Sequence, residues 1–306
     1  MKPAARTLAP APSTPFLAPL AAVTAALLLA ACGGGGSDAG SPPPTVSSSI
    51  ATPVRYGEVM TITLVGTNLD QALTLSSNGC RDFTRSASST ATTATFTCTV
   101  SGATGAQSVT VAGGGITAAT VPFTTPVPQV TMLLTNGAGV SGTVVLTLNP
   151  DAARITVDNF LAYVRAGFYN GTIFHRYLPG FVLQGGGFNG PMTVGLDSLN
   201  APKPTNPAIV LEDNVNASNL RYTVAMARTN VPDSATSQFF VNLGDNTNLD
   251  RAPNRRGYAV FATVTAGRDV IDAVAGAPCS GWGAIFGDGS CLPVPNVQIA
   301  AATQTR

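Results

Sequence analysis

The feature that most restricts this chain is a period of two. In Met60-Thr61-Ile62-Thr63-Leu64 apolar residues alternate with threonine, and Thr95-Phe96-Thr97-Cys98-Thr99-Val100 repeats the pattern. Successive side chains of a strand point to opposite faces. Met60, Ile62 and Leu64 are therefore expected on one buried face, and Phe96, Cys98 and Val100 on another. Val109 and Val111 give a third run, closed by a turn at Gly113-Gly114-Gly115. Short strands with turn signals at this spacing predict a β-sandwich over residues 49–125. The segment has no histidine and no carboxylate cluster, so it reads as a spacer or interaction module.

The second half is also mainly β, with two helices. Thr124-Thr125-Pro126-Val127-Pro128 reads as a stiff interdomain hinge. Strands are expected at 130–135, 143–148, 222–227, 238–243, 258–264 and 297–300. Val157, Phe160, Leu161 and Val164 stand at i, i+3, i+4 and i+7, which predicts a helix with Thr156 as N-cap and Gly167 closing it. A shorter helix is expected at 268–275. Many strands with two helices point to a closed β-barrel plugged by helices.

Several function classes are disfavoured by composition. Only 10% of the residues are charged, the net charge is +1, and the basic residues are scattered. A nucleic-acid binder needs a basic stripe for phosphate contacts. His175 is the only histidine, so no multi-histidine metal site can form. No GxxxxGK[ST] phosphate loop is present, and neither a metal nor a cofactor is implied.

The start of the chain reads as an export signal. Residues 17–31 form an apolar run too short for a stable membrane span. It ends in Leu29-Ala30-Ala31-Cys32, which resembles a bacterial lipobox and makes residues 1–31 a lipoprotein signal peptide with Cys32 as the lipidated residue. Residues 32–48, which include Gly33-Gly34-Gly35-Gly36-Ser37, read as a flexible linker. Gly33 stands where an aspartate signals inner-membrane retention in some bacteria, so the expectation is a lipid anchor in the bacterial cell envelope, with the outer membrane favoured. The other cysteines form two sequence-local pairs, Cys80 with Cys98 and Cys279 with Cys291. In an oxidising compartment the default is two disulfides.

The chemistry lies in Phe174-His175-Arg176-Tyr177-Leu178-Pro179-Gly180-Phe181-Val182-Leu183-Gln184-Gly185-Gly186-Gly187. Read physically, two strands flank a Pro-Gly turn and bring a guanidinium, an amide and an aromatic ring together. Alternation puts Phe181 and Leu183 on one face and Val182 and Gln184 on the other. The glycines let the backbone pass close to a ligand or a partner strand. The run resembles the FHRxxPGFxxQGG signature of cyclophilin-type peptidyl-prolyl isomerases. Residues 223–229, 233–243, 249–250 and 257–261 resemble further segments of that family, in its bacterial branch. The resemblance spans about 129–302 and implies a closed eight-stranded barrel capped by two helices, acting on proline-containing polypeptides.

That resemblance implies Arg176 as the catalytic arginine, working with Phe181 and Gln184. Val182, Phe240, Leu249 and Tyr258 would line the proline pocket with Phe181, while Ala227, Arg228, Gln238 and Gln184 would hold the flanking peptide. Asn248 and Tyr258 occupy the places of a tryptophan and a histidine in the eukaryotic pattern, so strong cyclosporin inhibition is not expected. Val182 replaces a commoner methionine. His175 faces away from Arg176 and reads as a packed, hydrogen-bonded imidazole, and Trp282 reads as structural packing. Two other functions would use the same residues: a non-catalytic peptide-binding chaperone, or an adhesin-like surface module led by the sandwich. Arg55-Tyr56-Gly57 with Val65-Gly66-Thr67-Asn68-Leu69 resembles immunoglobulin-like modules of the IPT/TIG type.

Overall fold

The computed structural model describes residues 41–116, 118–192, 201–213, 217–281 and 289–306. The export signal, Cys32 and Trp282 lie outside the described residues.

Seven strands precede the Pro-Val-Pro connector: β1 (Thr45–Ala51), β2 (Val59–Thr67), β3 (Thr74–Ser76), β4 (Cys80–Arg85), β5 (Thr93–Val100), β6 (Gly105–Ala112) and β7 (Ala119–Thr125). They form a four-stranded sheet in the order β1-β2-β5-β4 and a three-stranded sheet in the order β3-β6-β7, with antiparallel neighbours. One apolar core lies between the sheets. Met60, Ile62 and Leu64 of β2 and Phe96, Cys98 and Val100 of β5 meet Val109 and Val111 of β6 and Val121 of β7. The alternating threonines of β2 and β5 lie on the other face, half-buried. A Cys80–Cys98 disulfide, with Cα atoms 5.8 Å apart, joins neighbouring strands β4 and β5. Strand β1 already starts at Thr45, inside the stretch that composition alone assigns to a linker.

The rest of the chain builds a closed ring. Its elements are β8 (Gln129–Thr135), β9 (Ser141–Leu148), α1 (Pro150–Arg165), β10 (Thr172–Leu178), β11 (Val182–Asn189), β12 (Thr223–Met226), β13 (Phe239–Asn242), β14 (Val260–Ala266), α2 (Arg268–Ala275), β15 (Cys279–Gly281), β16 (Cys291–Pro293) and β17 (Gln298–Gln304). Eight strands run β10-β11-β13-β12-β14-β9-β8-β17, and β17 pairs back onto β10 through Ile173 and Gln298. Among the described residues the pairing of β10 with both β11 and β17 closes the eight-stranded ring. The β15–β16 hairpin, bridged by the Cys279–Cys291 disulfide (Cα atoms 5.7 Å apart), is attached to β10 where Tyr177 pairs with Cys291.

Helix α1 buries Val157, Phe160, Leu161 and Val164 in the barrel core, as the spacing predicts. The Phe160 ring lies 4.9 Å from Phe261 and 5.1 Å from Tyr169. The helix start differs from the expectation. Asn149 caps an opening turn that breaks at Ala153 (φ −150°, ψ 72°), so Thr156 is not the cap. The exposed amides after the break are satisfied from a distant loop. Glu212 accepts from the Ile155 amide at 3.0 Å, from the Thr156 amide at 2.7 Å and from the Thr156 hydroxyl at 2.8 Å. A carboxylate here also faces the positive end of the helix dipole.

The two β layers make polar and apolar contacts beyond the connector. Tyr56, fully buried, belongs to the barrel's core cluster. Arg165 Nη2 donates to the Tyr56 carbonyl at 2.7 Å, and its Nε and Nη2 donate to Gln304 Oε1. Ser101 donates to Asp158 at 3.0 Å, and Thr104 donates through both its amide and its hydroxyl to Asp151.

Candidate active site

Alternation along the barrel wall sorts side chains to two sides. Leu183, Val224, Met226, Phe239, Val241 and Phe261 point into the closed core. Their neighbours Val182, Ala225, Phe240 and Val260 form a separate apolar cluster, with Phe181, Ala227, Leu249 and Tyr258 packed against it. The register explains the grouping: Arg176 pairs with Gln184, Gln184 with Phe240, Phe240 with Ala225, and Ala225 with Val260. One row across five strands thus places a cation, an amide and an apolar patch side by side.

These side chains enclose a cavity of about 180 Å³ lined by Arg176, Phe181, Val182, Gln184, Ala227, Arg228, Phe240, Leu249 and Tyr258. The Phe240 and Tyr258 rings meet edge to face at 5.6 Å. Arg176 Nη1 donates to Gln184 Oε1 at 3.2 Å, and Gln184 Nε2 donates to Gln238 Oε1 at 2.9 Å. This chain aims the guanidinium along the polar rim. A second cavity of about 190 Å³ shares Gln184, Ala227 and Arg228 and adds Thr229, Ser234, Thr236 and Gln238.

Every residue singled out in the second half for the pocket or its rim lies at one of these two cavities, but two details differ from the sequence reading. Phe181 does not share a face with Leu183. Strand β11 begins only at Val182, so Phe181 belongs to the turn and packs beside Val182 in the outer cluster. The glycine run lets the backbone pass close to a partner strand, one of the two alternatives the sequence offered: a Cβ at Gly185 would lie 2.9 Å from the Phe174 ring and 3.1 Å from the Ile173 carbonyl. Gly186 has φ +80°, and a Cβ there would come within 2.9 Å of Tyr169 and 3.0 Å of Phe239. Second, His175 is packed and a backbone hydrogen bond at Ile173 acts on its imidazole, but its Nδ1 has no partner among the described residues. Its ring lies 4.7 Å from Phe188 on the side away from the cavity. Burial and the adjacent Arg176 cation depress its pKa to about 4, so it is neutral at pH 7 and a poor proton donor there.

Residues 131–304 match the family described as cyclophilin type peptidyl-prolyl cis-trans isomerase/CLD. The chain belongs to the cyclophilin-type isomerase family. Its cyclophilin domain is 47% identical over 143 residues to peptidyl-prolyl cis-trans isomerase A of Dickeya dadantii, an alignment covering 47% of this chain and 70% of that one. It is 50% identical over 139 residues to the isomerase cyp18 of Streptomyces antibioticus, covering 44% and 79%. A crystal structure of a cyclophilin-type isomerase from Cryptosporidium parvum aligns with 58% of this chain and 98% of its own, at 18% identity and a TM-score of 0.44. The protein is a peptidyl-prolyl cis-trans isomerase, and proline-containing polypeptides are its substrates.

Around the cyclophilin cavity the sequence reading missed Glu212, Asp213 and Arg256. Asp213, buried, accepts from Arg256 Nε at 2.8 Å, from Arg256 Nη2 at 2.7 Å and from the Gly257 amide at 2.9 Å. The hydrogen bonds from Arg256 lead the effects that hold its carboxyl below the usual range. No local pattern announces these contacts, because the partners stand 43 and 44 residues away.

Proposed function

We propose that Arg176 catalyses prolyl isomerisation by stabilising the twisted amide, and that the enzyme serves exported proteins from a lipid anchor at Cys32. The observation that carries the catalytic reading is the shared cavity, where the Arg176 side chain and an apolar slot line the same space of about 180 Å³. Rotation about a peptide bond meets a barrier of about 18–20 kcal/mol, because resonance gives the C–N bond double-bond character. No covalent bond breaks. The protein has only to favour the half-rotated state, in which the prolyl nitrogen becomes pyramidal and basic.

Phe181, Val182, Phe240, Leu249 and Tyr258 would grip the pyrrolidine ring while the preceding residue turns. Arg176 presents a planar fork of donors, so it can bond the prolyl nitrogen or the neighbouring carbonyl as resonance is lost. The cross-strand bond to Gln184 holds that fork at the rim before substrate arrives, which lowers the reorganisation needed during turnover. Gln184, Gln238 and Ala227 would hold the flanking peptide, with Arg228 beside them on the lining shared by the two cavities. Because this contact strengthens in the transition state, it raises turnover more than affinity.

Arg176→Ala is expected to lower kcat by about 100-fold or more, with the Kd of a proline test peptide changed much less. Arg176→Lys keeps the charge but loses the fork, and should fall between. An Arg176→Ala protein with wild-type turnover would refute the catalytic assignment. A wild-type protein that binds the peptide without isomerising it would instead favour a non-catalytic peptide-binding role.

A further inference from the structure

The cavity lining leaves one buried charge unexplained. Asp213 has a side chain only 3% exposed, yet lines neither cavity at the site. It fixes the segment that leads into Tyr258. Arg256 grips its carboxylate through two nitrogens, Arg251 approaches to 3.7 Å, and the Gly257 amide donates to it. Gly257 is itself wedged: a Cβ there would lie 2.5 Å from the Arg251 amide and 2.8 Å from the Asp250 carbonyl carbon. The Tyr258 amide then donates to the Leu249 carbonyl at 3.0 Å.

The other side of this segment meets Arg228. Arg228 Nη2 donates to the carbonyls of Arg256 and Gly257, both at 3.0 Å, and Nε donates to Gly257 at 3.1 Å. Nη1 donates to the Thr229 carbonyl at 2.8 Å. Each nitrogen therefore has a backbone acceptor, and the guanidinium lies 4.5 Å from the centre of the Tyr258 ring. So placed, Arg228 is a brace on a pocket wall rather than a donor waiting for peptide. Two of the three carbonyls that hold it, those of Arg256 and Gly257, come from the residues that Asp213 clamps.

We infer that Asp213 is a positioning residue of the isomerase, acting through the Arg256–Gly257 backbone on Arg228 and hence on Tyr258. The inference rests on the reading of the cavity as the prolyl site. Buried hydrogen bonds to a charged group are costly to leave half-made. With an amide in place of the carboxylate one of the two acceptor oxygens is lost, so the bonds from Arg256 Nε, Arg256 Nη2 and the Gly257 amide cannot all be kept. The two carbonyls are then free to turn from Arg228, and the Tyr258 ring loses its cover. Its neighbour Glu212 pins the same loop to α1, so the two carboxylates hold one loop against two different elements.

The test is a double-mutant cycle in the full chain, reading kcat/KM and peptide Kd with a proline test peptide well below the melting temperature. Asp213→Asn should lower kcat/KM on the order of tenfold, the scale set by misplacement of a pocket wall. In an Arg228→Ala background the same change should cost less than about twofold, because the brace is already gone. An equal factor in both backgrounds overturns the inference, as does a lower melting temperature with kcat/KM unchanged. If Asp213→Asn does not fold, Arg256→Lys keeps the carboxylate, removes one arm of the grip, and must give the same pattern. Absence of turnover in the wild type would sink the isomerase reading alone, since the coupling in Kd still decides the role of Asp213.

Discussion

Replacing His175 by asparagine removes the single imidazole of the chain and isolates its contribution to acid stability. The side chain is 3% exposed, its Nδ1 lacks a hydrogen bond among the described residues, and Arg176 follows it in sequence. Burial first, and the Arg176 charge second, move its pKa from 6.5 to about 4. Above pH 6.5 the ring is neutral in both folded and unfolded chains and contributes nothing to pH dependence. Between 6.5 and 4 the unfolded chain takes up a proton that the folded one refuses, so stability falls as pH falls. At 1.36 kcal/mol per pH unit, the ceiling is about 3 kcal/mol, of which about 2 kcal/mol is lost by pH 5. Urea unfolding at pH 7 and pH 5 measures this directly. Wild type should lose about 2 kcal/mol more than His175→Asn over that interval, with carboxylate contributions cancelling in the difference. Equal losses would refute the reasoning, as would an imidazole proton signal titrating near 6.5 in the folded protein.

Two further outcomes are expected. Tyr56→Ala should lower unfolding free energy by about 3–5 kcal/mol in urea melts, because a fully buried aromatic leaves a void in the barrel core; a loss under about 1 kcal/mol would show that the N-terminal layer does not support the barrel. If Cys32 carries lipid, protein expressed in a lipoprotein-processing bacterium should enter the detergent phase, and Cys32→Ala should stay in the aqueous phase; identical partitioning would remove the anchor.

Features of the fold that depend on near neighbours were legible in the sequence. The alternation in 60–64 and 95–100 oriented both strands, and the 3.6-residue spacing of Val157, Phe160, Leu161 and Val164 found the buried face of α1. Most of what failed depended on residues distant in sequence. Thr156 has the chemistry of a cap, but the working cap after the break is Glu212, 56 residues on. Phe181 was misdirected because strict alternation was extended one residue into a turn. Strand β1 carries Thr45-Val46-Ser47-Ser48-Ser49-Ile50, too polar to stand out from a linker until its pairing with β2 is seen. At the candidate site the lining residues were legible through the FHR-to-QGG run and the segments around Phe240 and Tyr258. Asp213 was not, since a lone aspartate in a loop carries no mark of the backbone it will clamp.

The apolar cluster proposed to receive proline lies on the outside of a barrel whose interior is filled by Phe160, Phe239 and Phe261. A polypeptide therefore has no tunnel to thread and no need to offer a free end. It can be met laterally, at any proline on an accessible loop, and released without unravelling. Such a shelf suits clients that are long, partly folded, or already tethered to something else.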